Sequence, residues 1–102
     1  MEPTRFSPEV LLALRKSRRD GRGRPWTLRA AAAHVSQVTG KAMTPSQMLR
    51  YESGESTPDA NRLACLADTY GVPVGVFFVR GVGPLSAQDA RGILIARKAL
   101  LV

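Results

Sequence analysis

Three dipeptides in which proline follows serine or threonine constrain the fold of this chain more than any other feature. They are Ser7-Pro8, Thr44-Pro45 and Thr57-Pro58. A side-chain oxygen at a helix N-cap accepts a hydrogen bond from a free backbone N–H, and proline fits the first turn, where its missing N–H costs nothing. Each dipeptide therefore predicts the start of an α-helix.

Apolar residues at helical spacing follow each of these starts. We predict helices over residues 8–19, 45–52 and 58–70. A further helix is predicted to begin at the cap Thr27 and to end near Gly40. Its run of four alanines favours a helix and would let a neighbouring helix approach closely.

The apolar segment "VPVGVFFVRG", residues 72–81, fits either a buried strand or a short helix. Because the chain offers no second strand candidate and an unpaired strand is not stable alone, we expect a helix here. After a break at "GVGP", Ser86 and Asp89 resemble a capping box at the start of a last helix over about 86–100. The predicted fold class is all-α, in one domain, since 102 residues suffice for a single modest core.

Basic residues are concentrated in the first half of the chain. Residues 1–54 hold ten Lys or Arg and four Asp or Glu, whereas residues 55–102 hold five and four. Between Arg15 and Arg29 there are seven basic residues and one acidic residue, Asp20. Such a run is typical of a surface that faces phosphates, but a solvated face or an anionic membrane contact would have the same composition.

The residue inventory argues against catalysis and metal binding. His34 is the one histidine and Cys65 the one cysteine, so we expect no metal site and no internal disulfide. No Gly-rich phosphate loop follows a strand, and we expect neither an enzyme nor a cofactor or small-molecule ligand. The sequence has no signal core or membrane-spanning segment, and a free thiol fits a reducing compartment, so a cytoplasmic location is expected.

The predicted helix over 45–52 has the plan of a helix that reads DNA. It is short, it follows the alanine-rich helix through a Gly-containing turn, and Met48 and Tyr51 are expected to anchor it. The residues expected to face outward are Pro45, Ser46, Leu49, Arg50 and Ser53, with Gln47 on the flank. In a helix-turn-helix, the second helix enters the major groove with its N-terminal residues against the base edges.

The outward side chains suit double-stranded DNA as the partner. Arg50 can donate two hydrogen bonds to guanine, Gln47 can pair with adenine, Ser46 can serve either, and Leu49 can contact a thymine methyl group. Helix starts and nearby basic residues can hold phosphates. The expected phosphate contacts are Arg22, Arg24, Thr27, Arg29, Thr44 and Ser53.

Over residues 10–79 the chain resembles the Cro/C1-type helix-turn-helix proteins of the phage-repressor (XRE) family. The resemblance rests on the alanine-rich helix, then "MTPSQMLRYESGEST", then "LACLADTYGVPVGVFF", in this order. It implies a lambda-repressor-like five-helix DNA-binding domain over 1–80, with one extra C-terminal helix within 81–102. The long links "RRDGRGRPWT" and "SQVTGKAM" are more similar to those of EspR-like actinobacterial regulators.

The resemblance also assigns roles to single residues. The buried acidic residue that ends the reading helix in this family corresponds to Glu52, with Arg15 as its partner on the first helix and Arg18 as second choice. The base-reading positions correspond to Pro45, Ser46, Gln47 and Arg50, and the phosphate contacts of the alanine-rich helix to Thr27 and Leu28. The implied function is a sequence-specific transcriptional regulator.

The predicted last helix is more apolar than a lone terminal helix should be. Its side chains Ile93, Leu94, Leu100 and Leu101 would form the interface of a homodimer. Packing of this helix on its own domain is the alternative. Two other functions remain open from the sequence: a protein-interaction module, such as an antitoxin or phage adaptor, and a nucleoid-architecture DNA binder.

Overall fold

A computed structural model describes residues 4–80 together with Ala90 and Gly92. In chain order its elements are β1 (Thr4–Phe6), α1 (Pro8–Ser17), α2 (Leu28–Thr39), α3 (Pro45–Ser53), α4 (Ala60–Tyr70), a 3₁₀ helix (Val74–Phe77) and β2 (Phe78–Arg80). The described chain is mostly helical, with one sheet of two strands.

Side-chain caps predicted from the sequence open three of the helices. Ser7 Oγ accepts a hydrogen bond from the Val10 N–H at 3.2 Å and caps α1. Thr27 caps α2 and Thr44 caps α3 in the same way, each with its oxygen 3.1 Å from the third N–H of its helix. At the other end, α1 stops at Ser17 rather than at residue 19, since the next residue is extended.

The predicted cap of α4 is wrong by two residues. Thr57 does not open the helix; α4 begins at Ala60, and Asp59 Oδ1 accepts a hydrogen bond from the Arg62 N–H at 2.8 Å. A carboxylate at this position satisfies a free N–H and also interacts favourably with the positive end of the helix dipole. Asp59 therefore determines where the helix begins.

The expectation of an all-α fold is also wrong in part. Within the segment predicted to be helical, residues 74–77 form a single 3₁₀ turn and residues 78–80 form β2, while residue 81 lies outside the described part of the chain. This strand pairs antiparallel with β1, with Phe6 opposite Phe78. The partner strand, β1, has three residues, which is too short to show an alternating pattern, so it could not be recognised as a strand candidate. Phe6 also packs against Phe77, with ring centroids 6.3 Å apart, and this contact attaches the pair to the core.

The helices enclose one hydrophobic core. Its largest fully buried apolar side chains are Val10, Leu11, Leu14, Val35, Met48, Leu66, Tyr70 and Phe77. α2 packs on α3 and α4, and α1 packs on α3. Of the four alanines of α2, Ala31 and Ala32 are buried in the core, Ala30 is half-buried and Ala33 is exposed. Cys65 is a buried free thiol, as predicted.

The predicted last helix lies almost entirely outside the described residues. Ala90 is helical and fully buried in the core cluster, and Gly92 is helical and exposed. The four residues predicted to form a dimer interface lie outside the described part of the chain; they are Ile93, Leu94, Leu100 and Leu101.

Candidate nucleic-acid interface

The outer face of α3 is exposed to solvent and is not buried in the domain core. Met48 is fully buried and Glu52 is 8% exposed, and these two residues turn the opposite face toward solvent. The exposed residues of the helix are those predicted from its periodicity, namely Pro45, Ser46, Leu49, Arg50 and Ser53. Leu49 is 53% exposed, and leaving so much apolar surface in water contributes nothing to folding.

An ion pair fixes the orientation of α3. Arg15, from α1, contacts the Glu52 carboxylate through Nε at 2.8 and 3.0 Å and through Nη2 at 2.9 Å. The Glu52 side chain is 3% exposed and that of Arg15 is 14% exposed, so water screens the pair weakly. Of the two candidate partners, Arg15 is therefore the one that contacts Glu52, while Arg18 donates to the backbone carbonyl of Tyr70.

Arg15 also connects α3 to the segment before α2. Its Nη1 donates to the Trp26 carbonyl at 2.8 Å. The Trp26 ring stacks on His34, with centroids 4.0 Å apart, and lies 6.0 Å from the Tyr70 ring. Burial raises the pKa of the Tyr70 hydroxyl well above its ordinary value of 10.0, and the nearby Glu52 carboxylate adds to this effect. Trp26 therefore anchors the start of α2 to the same buried charge pair that holds α3.

The start of α3 is closed by a capping box. Gln47 Oε1 accepts a hydrogen bond from the Thr44 backbone N–H at 3.0 Å, while Thr44 Oγ1 accepts one from the Gln47 N–H. The amide that was predicted to read adenine is therefore already engaged through its oxygen. A bidentate contact with a base would require Gln47 to share this oxygen or to release the cap.

Hydrogen bonds from the backbone and from side chains order the long turn between α2 and α3. The Met43 N–H donates to Ser36 Oγ at 3.0 Å, and Ser36 Oγ donates to the Ala32 carbonyl at 3.1 Å. From α4, Arg62 Nη1 donates to the Ala42 carbonyl at 3.0 Å. Gly40 closes α2 with a φ of 71°, which favours glycine, and its N–H donates to the Ser36 carbonyl. The turn is longer than is usual in the resembled family, but its geometry is defined.

The start of α2 presents donors and positive charge to solvent. Thr27 and Arg29 are exposed, and Leu28 is half-buried against the core. Thr27 Oγ1 accepts a hydrogen bond from the Ala30 N–H, so the groups that remain for a phosphate are the other N–H groups of the first turn and the Thr27 hydroxyl proton.

The loop between α1 and α2 holds Arg22 and Arg24 in a defined backbone conformation. Asp20 Oδ1 accepts hydrogen bonds from the Arg22 N–H at 2.8 Å and from the Arg24 N–H at 3.0 Å. These two bonds lower the pKa of the Asp20 carboxyl, with the bond from Arg24 making the larger contribution. Both arginine side chains are exposed, and that of Arg24 lies 3.7 Å from the Asp20 carboxylate.

Asp20 is notable in the sequence only as the one acidic residue of a basic run, and the sequence assigns no contact to Trp26. The signal for Asp20 was local, because aspartate before glycine often bonds to backbone N–H groups two residues further on. Nothing in the sequence indicated that the Trp26 carbonyl would contact Arg15. Ser53, expected at a phosphate, donates to the Arg50 carbonyl at 3.2 Å and remains exposed.

Within residues 4–80, Ala90 and Gly92, no group of three His, Cys, Asp or Glu residues is placed to bind a metal ion. None of the helices in this part of the chain is long and apolar enough to cross a membrane. Comparisons with profiles of protein families, with curated proteins and with solved structures give no significant match. The structure defines a class, a small, mostly helical domain with an exposed, anchored helix and an arginine-rich loop, in which Arg15 bonds both to the end of the loop and to the helix.

Proposed function

We propose that this chain is a sequence-specific DNA-binding protein of the helix-turn-helix kind, similar to the Cro/C1-type regulators, and that α3 reads the major groove. The observation that carries the proposal is the orientation of α3. Its inner face is held by Met48 and Glu52, and its outer face offers Ser46, Leu49 and Arg50 to a partner.

The chemistry of this outer face favours DNA over another protein. Arg50 can donate two hydrogen bonds to a guanine, and Leu49 can contact a thymine methyl group, which accounts for its exposed apolar surface. α2 precedes α3 and begins beside exposed Arg22, Arg24 and Arg29, where phosphates would lie if α2 crosses the DNA backbone. Ser46 is the third residue on the outer face of α3 that would contact a base edge. Gln47 caps α3 through its side-chain oxygen; its NH2 group can still donate to a base, whereas a bidentate contact requires the oxygen to be shared.

A regulator of this kind binds a partly palindromic site as a homodimer, and we propose the same for this chain. Two copies would place two α3 helices in successive major grooves about 34 Å apart. The segment 81–102, which contains the expected interface, would supply the contact. Measurement of the molecular mass in solution, with and without residues 86–102, tests this part of the proposal.

Selection of bound sequences from random duplex DNA tests the proposal as a whole. The wild-type protein should enrich one motif, and Arg50→Ala should weaken binding to it by about 1–3 kcal/mol and relax the preference at one base pair. Arg29→Ala removes the same charge from a phosphate-facing position and is the matched control. It should weaken binding to all duplexes alike.

If Arg50→Ala and Arg29→Ala weaken specific and random duplexes equally, α3 does not read bases. Strong, salt-sensitive binding without an enriched motif would instead favour the nucleoid-architecture function.

A further inference from the structure

The loop between α1 and α2 is a closed structural unit. The Trp26 N–H donates to the Arg18 carbonyl at 3.0 Å, and the Asp20 N–H donates to the Arg24 carbonyl at 2.8 Å. Between these bonds Arg19 and Pro25 form an antiparallel bridge. The loop is thus a short hairpin rather than an extended basic tail.

The Asp20 side chain organises the tip of this hairpin. Its carboxylate accepts hydrogen bonds from the backbone N–H groups of Arg22 and Arg24. The backbone carbonyl of Asp20 accepts a further one from the Gly23 N–H at 3.0 Å. A surface that attracts DNA only through net charge gains nothing from an acidic residue among its arginines. The arrangement instead holds two guanidinium groups on a fixed backbone.

The tip carries no side chain on either side of Arg22. Gly21 and Gly23 flank Arg22, and an added Cβ at either glycine would meet no atom within 4 Å. Gly23 has a φ of 77°, which favours glycine and turns the chain back toward Arg24. The minor groove of B-DNA is about 6 Å wide, and A·T-rich tracts narrow it further and concentrate the negative potential that attracts arginine.

The hairpin directly precedes α2, the helix that would cross the DNA backbone in the proposed complex. Arg24 precedes the α2 cap, Thr27, by three residues, a chain length that spans at most about 10 Å. In the proposed complex, a phosphate bound at the start of α2 would therefore lie within about 10 Å of the Arg24 backbone, close enough for the Arg24 side chain to extend toward the adjacent groove. Trp26 and its bond to Arg15 fix the base of the hairpin relative to α3.

We propose that the hairpin of residues 18–26 inserts Arg22 and Arg24 into the minor groove flanking the α3 site, that it prefers A·T-rich flanks, and that Asp20 is the residue that positions both arginines. This inference rests on the proposed function and adds a second reading element to it. It also gives Arg22 and Arg24 a role in specificity beyond the phosphate contacts expected from the sequence.

The test uses the full chain and the duplex that is identified by selection from random sequences. Three versions of this duplex are compared, in which the base pairs flanking the α3 site are A·T, G·C or inosine·C. Inosine·C pairs keep the major-groove groups of G·C but lack the minor-groove amino group. Wild-type protein should bind the A·T and inosine·C flanks alike, about tenfold more tightly than the G·C flank. Arg22→Ala combined with Arg24→Ala should abolish this difference.

Asp20 variants separate positioning from charge. Asp20→Ala makes the protein more positive, so a purely electrostatic loop would bind more tightly. We expect weaker binding to the A·T flank and loss of the flank preference. Asp20→Asn keeps an acceptor oxygen and should retain the preference. Circular dichroism and thermal unfolding of each variant establish that the domain is folded.

The outcomes distinguish this inference from the function on which it rests. One outcome is that Arg50→Ala loses its preference at one base pair while the wild-type protein binds the duplexes with the three flanks equally. In that case the minor-groove role is overturned and the major-groove role stands. Tighter binding by Asp20→Ala with an unchanged flank preference also overturns it. If the wild-type protein prefers no duplex, both proposals fail.

Discussion

The Arg15 guanidinium holds the Glu52 carboxylate, 37 positions further along the chain, through three N–O contacts of 2.8 to 3.0 Å. The same guanidinium donates to the Trp26 carbonyl. One side chain therefore connects α1, the start of α2 and the end of α3. The stability of the domain and the orientation of its exposed helix depend on the same contacts.

Replacing Glu52 by Gln should lower the free energy of unfolding by about 3 kcal/mol, because the mostly buried Arg15 charge loses its counter-ion. Denaturant unfolding measures the change. Glu55→Gln removes the same kind of charge at an exposed site three residues after Glu52, just past the end of α3, and should stay within about 0.5 kcal/mol of wild type. Equal effects of the two substitutions would show that the pair does not stabilise the fold.

The cap of α4 offers a test of which residue begins that helix. Asp59→Ala should destabilise the protein by about 1 kcal/mol, since the Arg62 N–H loses its acceptor. Thr57→Ala should have little effect, because Thr57 lies before the cap. Thermal unfolding of both variants compares them directly, and a larger loss for Thr57→Ala would contradict the assignment.

Gly54 ends α3 with a φ of 80°, and an added Cβ would lie 3.4 Å from Pro8 Cγ. Gly54→Ala should therefore lower the free energy of unfolding by about 1–2 kcal/mol. Gly75→Ala is the matched control, because Gly75 does not have positive φ and its Cβ would meet no atom within 4 Å. A stability of Gly54→Ala equal to that of Gly75→Ala would rule out strain at the end of α3.

The order of the arginine hairpin should depend on pH through Asp20. Its pKa in the folded protein is below the ordinary value of 3.8, because the ionised carboxylate accepts two backbone hydrogen bonds. The hairpin is therefore fully stabilised above about pH 4 and loses this contribution as the pH falls through the lowered pKa. The Arg22 and Arg24 amide resonances report the transition by NMR. In Asp20→Asn they should not titrate in this range, and a midpoint above 3.8 in wild type would contradict the contact.

The parts of the fold that were predictable follow from local rules. Ser7, Thr27 and Thr44 cap helices because a hydroxyl next to a helix start acts on its own first turn. The outward face of α3 follows from helical periodicity once Met48 is assigned to the core. The same local rule predicts a cap at Thr57, and this prediction is wrong because Asp59, two residues later, is also a capping residue and begins the helix.

The candidate site was predictable only in part. Arg50 and Ser46 could be placed on an exposed helix from spacing alone. In the structure the Gln47 amide oxygen is engaged in the cap, and Asp20 accepts hydrogen bonds from the Arg22 and Arg24 N–H groups. Both arrangements depend on backbone conformations that residue spacing does not specify.

By itself the sequence determined where most helices begin, which face of α3 is apolar and where the positive charge is concentrated. Each of these depends on residues within one or two turns of each other. Only the tertiary structure decided that Phe6 and Phe78 face each other across a sheet, and that Arg15 rather than Arg18 holds Glu52. Such contacts join residues far apart in the chain, and their formation depends on how the whole core packs, which local spacing does not encode.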